Sequence, residues 1–591
     1  MSIEEPMRKT EQEIMPERLS KITKPTGYDI YPYHHLEDGK IFNGISSLCD
    51  YIVQQKRVCI DGYVGVYWGF LKNAISNEII SRGLSLNVCL ASDFMKSEED
   101  INLLTSPFIG APGSVWGKNA DLSITDYFDN STLKQLQVDE SVDVNITIGP
   151  GAALAGWSAA LIYIDLPKNE LQHRMSAGSI FNLGITAELD QTEMYKRFYF
   201  VDWVILNKHK KDILNRVDVF CDAQWEHDVN WAYGQDIRKG LERISTSVFR
   251  PRPWFAPGAW GGQWMKRHMP QLEQSEVNYA WSFEIIAPEN GIVFQSSGLL
   301  LEVSFDMLMF HNGDNILGHH ATKFGYEFPI RFDFLDTFDG GNLSIQCHPS
   351  LDYIQSEFGE RITQDETYYI LDCKENASVY LGFQEGIDPD KFRKDLEESN
   401  LNGTQVDIEN YVQVHKAEKH DLFLIPNQTI HSAGAENLVL EISATPYIFT
   451  FKMYDWLRLD LNGKPRPINI EHAFHNLDFS RKGDKVQEEL ISKPYIIFEN
   501  TDLRCYHLPT HSEHFYDVHR LEFSSKAEVQ TDGLCHVLML VEGESITVKT
   551  ADGSQLILAF AETFIIPAAA VSYTIINNSQ SEIKVIKAFL K

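Results

Sequence analysis

Apolar and polar residues follow two different patterns along the chain, and the change falls near residue 250. Before it, apolar runs such as "RVCIDG" and "LNVCLAS" alternate with longer segments of helical periodicity, such as "GFLKNAISNEIISRG" and "VDWVILNKHKKDILNR". Strands that alternate with helices are typical of a parallel sheet covered by helices. The pattern predicts an α/β domain over residues 46–245, after a polar N-terminal lead over residues 1–45.

The second pattern begins after "FRPRPWFAPGAWGG", where proline, glycine and tryptophan mark a boundary. Beyond it the chain consists mainly of short predicted strands, among them "AWSFEIIAP", "LEVSFDMLMF", "TYYILDC" and "VLMLVEGESITVKT", with helical periodicity mainly in "DPDKFRKDLEES". Many short strands separated by Gly and Pro turns favour jelly-roll barrels of the cupin type. The predicted fold class is multidomain, with the α/β domain followed by two mainly-β barrels over 246–494 and 495–591.

Composition narrows the function classes. The chain has 591 residues with 83 acidic and 52 basic side chains, a formal net charge of −31. Such a field disfavours nucleic acid and anionic membrane surfaces as partners. No apolar stretch approaches the roughly 18–20 residues that span a bilayer, and the N-terminus lacks the apolar run of a signal peptide. The eight cysteines are scattered without a CxxC pair, which predicts reduced thiols and a cytoplasmic location.

The segment "IQCHP" carries the strongest chemical signal. Alternate residues of a strand share a face, so Gln346 and His348 are expected to point the same way, about 6.6 Å apart, with Cys347 buried on the other face. Glu366, His431 and Glu441 occur in or beside other predicted strands. Two imidazoles, a carboxylate and an amide oxygen suit a divalent metal with positions open for water or substrate. The alternative is a set of hydrogen-bonded polar residues inside a barrel.

A family resemblance rests on five ordered motifs. The segments "AWGG", "FDFLDTFDGGNLSIQCHPS", "DETYYIL", "HDLFLIPNQTIHSAG" and "LVLEISATPYIFTFKMYDW" resemble those of type I phosphomannose isomerases, over roughly residues 250–460. The resemblance implies one zinc ion per chain, a sugar phosphate as the small-molecule partner, and interconversion of mannose 6-phosphate and fructose 6-phosphate through an enediol. Carried over by motif, the metal ligands are Gln346, His348, Glu366 and His431.

The cationic residues of the family pattern are replaced here. Lys452 stands where the pattern has an arginine, while Gln364 and Asp333 stand where it has lysines. Lys452 and Glu441 are the candidate catalytic residues, and Glu441 has a structural carboxylate as its alternative role. Arg458 and Arg331, together with Lys323 and Lys266, are candidates to replace the lost charge at the substrate.

These departures leave three hypotheses for the function. The first is a sugar-phosphate isomerase, with the phosphate bound by other residues or with a different substrate. The second is a catalytically weakened, metal-holding protein that binds sugars or regulates a partner. The third is a cupin oxygenase with iron on two histidines and a carboxylate, against which Gln346 and the surrounding motifs argue. The sequence carries no signal for the oligomeric state.

The two flanking domains carry weaker signals. "CLASDFMK" and "IYIDLPKNELQHRM" resemble uridine-kinase-like P-loop proteins, but the phosphate loop G-x-x-x-x-G-K-[ST] would need Gly, Lys and Ser or Thr where Tyr67, Trp68 and Gly69 stand. A degenerate kinase-like domain without nucleotide-binding residues is predicted, and the alternative is a residual ligand site involving Asp61, Asp93, Lys208 or Lys211. The C-terminal barrel has no histidine in its "IIPAAAVSY" turn and only His536 nearby, so a structural or interface role is predicted.

Overall fold

The computed structural model describes residues 7–19, 27–133, 136–187, 189–225, 227–446 and 449–591. Parts of the predicted lead, and residues 447 and 448 of the last family motif, lie outside the described residues. The chain forms two compact units. Unit 1 consists of Met1–Thr23, Tyr31–Ile244 and Pro288–Asn312, and unit 2 consists of Lys24–Ile30, Ser245–Ala287 and Gly313–Lys591.

Unit 1 is built on a seven-stranded sheet. Five adjacent strands are parallel, and two antiparallel strands extend one edge. Most side chains of the central strands are buried, as their continuous apolar runs require when helices cover both faces. In sheet order the strands are Ile41–Asn43, Asn230–Tyr233, Val219–Asp222, Ala160–Asp165, Arg57–Gly62, Val144–Ile148 and Leu86–Leu90.

The helices of unit 1 fall largely between these strands, as the periodicity predicts. They are Ile45–Gln55, Trp68–Ser81, Glu98–Ile109, Asn130–Leu133, Lys168–Ser176, Gln191–Arg197, Trp203–Ile213 and Gly234–Ile244. A π-helical turn, Phe198–Asp202, joins two of them, and 3-10 turns occur at Ala91–Phe94, Ile124–Tyr127, Ala152–Ala155 and Leu214–Arg216.

The segment Pro288–Asn312 departs from the predicted division, which places it in the first β domain. Its hairpin strands Gly291–Ser296 and Leu299–Ser304 belong to unit 1, where the first of them pairs in parallel with His34–His35. "LEVSFDMLMF" is also only half strand, because a helix begins at Phe305 and runs to Leu317 with a non-helical residue at Asn312. A short apolar run does not by itself distinguish a strand from a buried helix.

The described part of the N-terminal lead is packed rather than loose. The Arg8 guanidinium lies 2.8 Å from the Glu170 carboxylate, and Met15 is fully buried against Val293 and Leu300. Backbone hydrogen bonds also hold the segment, among them those from the Lys9 amide to the His173 carbonyl oxygen and from the Leu300 amide to the Glu17 carbonyl oxygen. A polar composition gives little warning of such anchoring.

Unit 2 contains two antiparallel sheets that supply residues to one core. The core includes Tyr368 and Val439 from the first sheet and Val379 and Leu381 from the second. The first sheet, in order, is Leu422–Ile425, Asp365–Cys373, Asn437–Ala444, Arg331–Asp336, Trp281–Ile285 and Trp254–Ala256. The second is Val412–Lys416, Ser378–Phe383, His431–Ala433, Ile345–Cys347 and Phe451–Tyr454.

The C-terminal part of unit 2 repeats this arrangement with its own core, which includes Phe523, Leu538, Val548 and Ile575. One sheet is Tyr495–Glu499, Leu503–Leu508, Tyr516–Phe523, Ile583–Leu590, His536–Glu542 and Thr563–Ile566. The other is Lys526–Gln530, Ser572–Asn577, Ser545–Thr550 and Gln555–Ala559. His536 is buried here and its Nδ1 lies 2.9 Å from the Tyr573 hydroxyl, so it is a hydrogen-bonded core histidine.

Short helices connect the strands of unit 2. They are Trp264–His268, Ala321–Phe324, Leu351–Phe358, Pro389–Asn402, Ile470–Asn476 and Asp484–Glu489, with 3-10 turns at Gly318–His320, Ile408–Asn410 and Ala568–Ala570. Across the described ranges, every helix is too short or too polar to cross a lipid bilayer.

Candidate metal centre

The strand Ile345–Cys347 aligns three polar side chains across the second sheet of unit 2. Gln346 lies opposite His431 on one neighbouring strand and opposite Lys452 on the other. The prediction for Cys347 is confirmed, because its side chain is fully buried, with Sγ 3.9 Å from the Ala473 carbonyl oxygen. His348 follows immediately, and Pro349 then leads to Ser350, which caps the helix Leu351–Phe358 by accepting from the Tyr353 amide.

Glu366 reaches this row from the first sheet. Its Oε1 lies 2.9 Å from His348 Nε2, and its Oε2 lies 3.3 Å from His431 Nε2. The possible ligand atoms of these three residues all lie within 4.8 Å of one another, and both histidines are fully buried. The Gln346 amide lies 3.2 Å from His431 Nε2 and accepts from the Ser344 hydroxyl. The structure thus brings together all four predicted ligands.

The histidine tautomers are fixed from behind. His348 Nδ1 lies 3.0 Å from the Phe449 carbonyl oxygen and His431 Nδ1 lies 2.9 Å from that of Thr429, so each Nδ1 is the donor. If both rings are neutral, each Nε2 lone pair then faces the Glu366 carboxylate. A lone pair and an anion repel each other, so this arrangement is stable only with a cation or a proton between them. His348 Nε2 and Glu366 Oε2 are buried without a hydrogen bond. A divalent metal fits this donor set.

The pKa values of the three residues reflect the same arrangement. Burial alone would raise the pKa of Glu366, but His348 and His431 hold it well below its usual value. Burial lowers the pKa of His431. Burial also acts to lower the pKa of His348, but the negative charge of Glu366 outweighs it, so the pKa of His348 is raised. A carboxylate that stays ionised while fully buried is a suitable metal ligand.

Two further carboxyl groups lie beside Glu366 on the first sheet. Asp333 and Glu441 are directly opposite each other on adjacent strands, and Tyr368 flanks Glu441 on the other side. Burial raises the pKa of Asp333 to about 8, Glu366 adds to this, and Arg331 acts against it. Burial and the neighbouring Asp333 and Glu366 raise the pKa of Glu441 well above its usual value. Glu441 is therefore a buried neutral acid, able to hold a proton near the ligands.

Gln364 has a role that sequence reasoning missed. Its Nε2 donates to Glu366 Oε1 while its Oε1 accepts from the Thr445 hydroxyl at 3.2 Å. The side chain therefore orients the carboxylate in place of a cation. The spacing of the residues could have indicated this role. Gln364 is two residues before Glu366, so both side chains can lie on one face of the strand, and Ser344 stands in the same relation to Gln346 on the facing sheet.

The cations gather at the other side of the ligand row. Lys452 is partly buried, and its Nζ forms no hydrogen bond or ion pair with the described residues. Burial lowers its pKa to about 8, and Arg466 and Arg458 contribute in the same direction. Arg458 and Arg466 share Asp455, at 2.6 Å and 2.5 Å from its two carboxylate oxygens. Arg466 lies in the "GKPRP" turn, where no strand or helix pattern drew attention to it.

The other predicted cations contribute differently. Arg331 is buried and donates to the Pro446 carbonyl oxygen at 3.0 Å, close enough to Asp333 to lower its pKa. Lys266 donates to the Glu276 carbonyl oxygen, and Lys323 lies over the Phe324 ring. Neither lysine contacts the metal ligands through the interactions that the structure shows.

Comparison with known proteins gives two separate findings. Residues 44–246 match a family model described as a domain of unknown function, DUF8485.

Several curated relatives are mannose-6-phosphate isomerases by name. "Probable mannose-6-phosphate isomerase GmuF" of Bacillus subtilis is 30% identical over 164 residues, which cover 27% of this chain and 49% of that protein. "Mannose-6-phosphate isomerase ManA" of the same organism is 23% identical over 231 residues, covering 38% and 67%.

The similarity extends to solved structures. The crystal structure of the mannose 6-phosphate isomerase from Bacillus subtilis is 21% identical and covers 58% of this chain and 99% of that chain, with a TM-score of 0.47. The chain spans about half the length of the first curated relative named above.

Proposed function

We propose that unit 2 is a zinc-dependent aldose–ketose isomerase that interconverts mannose 6-phosphate and fructose 6-phosphate or a closely related sugar phosphate. The observation that carries this proposal is the convergence of His348, His431 and Glu366, with two imidazole lone pairs facing one buried carboxylate. The matched relatives, which are named as isomerases of this substrate, support it.

Gln346, His348, Glu366 and His431 would hold one zinc ion per chain. Gln346 would contribute its amide oxygen, which requires a half-turn of the amide and loss of its bond to Ser344. When bound, zinc polarises the sugar oxygens and lowers the cost of negative charge that develops on them. Gln364 and the two backbone carbonyl oxygens behind the imidazoles keep the ligand atoms oriented.

Two side chains are suited to move protons between the sugar carbons. Lys452 has a pKa of about 8, so at neutral pH a small fraction of its amine is free to accept a proton. Glu441 is protonated in its buried setting and can donate to a sugar oxygen or a bridging water. We assign Lys452 the transfer between C1 and C2, and Glu441 the supporting acid role.

The phosphate is assigned to Arg458 and Arg466. With Asp455 as the one carboxylate that the two arginines share, the pair carries a net charge of +1, which complements a phosphate anion. Lys452, the strand neighbour of Gln346, is left free for the proton transfer beside the ligand row. Arg331 is retained as a proposed substrate contact on the other sheet, where it is two residues from Asp333 on the same strand.

For unit 1 we propose a kinase-like domain with a degenerate phosphate loop. The five parallel strands support it. The Asp61 carboxylate accepts from the amides of Gly62, Gly151 and Ala153, at 2.7, 3.1 and 2.8 Å, so these donors are already bonded to an internal anion. A cytoplasmic location is proposed from the cysteines, all eight of which are free.

The decisive experiment combines metal analysis with an isomerase assay on the purified full chain. We expect about one zinc ion per chain, turnover of mannose 6-phosphate, and loss of turnover on treatment with chelator. His431→Gln should lose both zinc and activity, whereas Arg504→Ala, which removes a half-buried cation of the C-terminal sheet that pairs with Glu582, should lose neither. Zinc without turnover on any hexose phosphate would favour the metal-holding regulatory protein, and iron with oxygen uptake would favour the oxygenase.

A further inference from the structure

A cavity of about 240 Å³ opens in unit 1 beside the helix Trp203–Ile213. The turn that joins the strand Val144–Ile148 to the strand Ala160–Asp165 lies on the other side of the cavity. Ala153 and Leu154, which follow Val144–Ile148, form part of the cavity wall.

A histidine held by a buried carboxylate lines this cavity. His209 Nε2 lies 2.8 Å from Asp61 Oδ2, and Asp61 is completely buried and fixed by three backbone amides. His209 is itself 6% exposed, and its Nδ1 forms no hydrogen bond with the described residues. Gly151 makes the arrangement possible, because at φ +86° an added Cβ would lie 2.7 Å from the Phe128 ring.

Two unpaired cations share the cavity with His209. Lys208 and Arg216 are exposed, and neither forms an ion pair or hydrogen bond with the described residues. One carboxylate, Asp212, also lines the cavity, as do the hydroxyls of Ser123 and Thr125. In a chain with 83 acidic side chains, the two cations outnumber Asp212, and Asp61 is already paired with His209, so the lining of the cavity is locally positive.

The wall of the cavity is otherwise apolar. Ile205, Ile213 and Leu154 contribute aliphatic surface next to the charged groups. The helix Trp203–Ile213 and its 3-10 extension contribute cavity-lining residues that recur along the chain with helical spacing. One continuous face therefore carries both the charged groups and the apolar surface. A ligand that satisfies this surface has an anionic head and a small organic body.

We propose that this cavity binds a small organic phosphate monoester, with Lys208, Arg216 and His209 as the phosphate contacts. A phosphate presents several acceptor oxygens and up to two negative charges, which match the three donors that line the cavity from the helix and its 3-10 extension. Asp61 takes no part in ligand contact and instead positions His209. The inference does not depend on the isomerase activity of unit 2.

The test is calorimetric titration of the full chain with phenyl phosphate and, separately, with inorganic phosphate. Lys208→Ala/Arg216→Ala should weaken phenyl phosphate binding at least about tenfold, because each charge-assisted contact contributes on the order of 1.5–3 kcal/mol. The matched control is Lys211→Ala, which removes a lysine of the same helix outside the cavity and should change the Kd less than about twofold. Both altered cations are exposed, so folding is expected to be retained, as thermal unfolding will show.

A variant in unit 2 distinguishes phosphate binding at the unit 1 cavity from phosphate binding at the candidate active site of unit 2. Arg466→Ala should leave the unit 1 titration unchanged if the cavity binds phosphate. Tighter binding of phenyl phosphate than of inorganic phosphate would support the role of the apolar wall. The proposal is overturned if the wild-type chain shows no binding up to about 10 mM ligand, or if Lys208→Ala/Arg216→Ala binds as the wild type does. It is also overturned if binding is lost only in Arg466→Ala, a result that leaves the isomerase proposal standing.

Discussion

The substitution Glu366→Gln tests the metal centre most directly. It keeps the shape of the side chain and removes the charge that lies 2.9 Å from His348 Nε2 and 3.3 Å from His431 Nε2. The new amide nitrogen would also donate to one of these lone pairs and occupy an atom that the metal requires. We expect zinc affinity to fall at least about 100-fold, equivalent to about 2.8 kcal/mol.

The measurement is competition for zinc with a chelating dye at pH 7 on the metal-free protein. The matched control is Asp333→Asn, a carboxyl-to-amide change on the same sheet. Because burial raises the pKa of Asp333 to about 8, that side chain is mostly neutral at pH 7, and its replacement should change zinc affinity less than about threefold. Equal zinc affinity in Glu366→Gln and the wild type would refute the assignment of the centre, as would a larger loss in Asp333→Asn.

Three further predictions concern substrate binding and stability. Arg466→Ala should raise the KM for mannose 6-phosphate about tenfold, because it removes a proposed phosphate contact. The control variant Arg393→Ala, on the helix Pro389–Asn402, should leave the KM unchanged. The measurement is steady-state kinetics, and equal KM values for the two variants would contradict the phosphate assignment. Asp222 is fully buried, and its pKa is raised to about 8 by burial and then by Glu302, so its contribution to folding is complete below about pH 4 and lost as pH rises through 8. Urea unfolding of the full chain should show the unit 1 transition losing on the order of 4 kcal/mol between pH 5 and 8 in the wild type, with a smaller loss in Asp222→Asn. Ser350→Ala removes the cap of the helix that follows His348 and should cost about 1 kcal/mol by the same measurement, and an unchanged midpoint would show that the cap contributes nothing.

Alternation along strands is the part of the candidate site that sequence could predict. Gln346 and His348 share a face because a strand has a period of two, and the structure places Gln346 beside His431 and His348 beside Glu366. The same rule predicted that Cys347 is buried on the other face. The sequence showed Asp333 in place of a lysine of the family pattern, and Glu441 as a candidate catalytic residue. It did not show that the two lie opposite each other, because cross-strand pairing depends on strand register, which one sequence does not specify.

Arg466 and the segment Pro288–Asn312 show where sequence reasoning failed. Arg466 acts through a shared Asp455 eleven residues away, and turns carry no periodic pattern that predicts such a contact. Pro288–Asn312 has the same apolar hairpin signature as its neighbours, and only its pairing with His34–His35 assigns it to unit 1. Long-range partners, rather than local propensity, determine both features.

The discontinuity of unit 1 has a consequence for how this chain is made. During synthesis the N-terminal sheet emerges first, but the amide of Glu302, which donates to the buried Asp222 carboxylate, emerges only after Ser245–Ala287 of unit 2. Unit 1 therefore cannot close its last strands until translation has passed Asn312. A gene fragment that ends at residue 245 would yield a nascent polypeptide with Asp222 lacking this donor. Domain shuffling at that position would also separate Met15 from Val293 and Leu300, the residues against which it is buried.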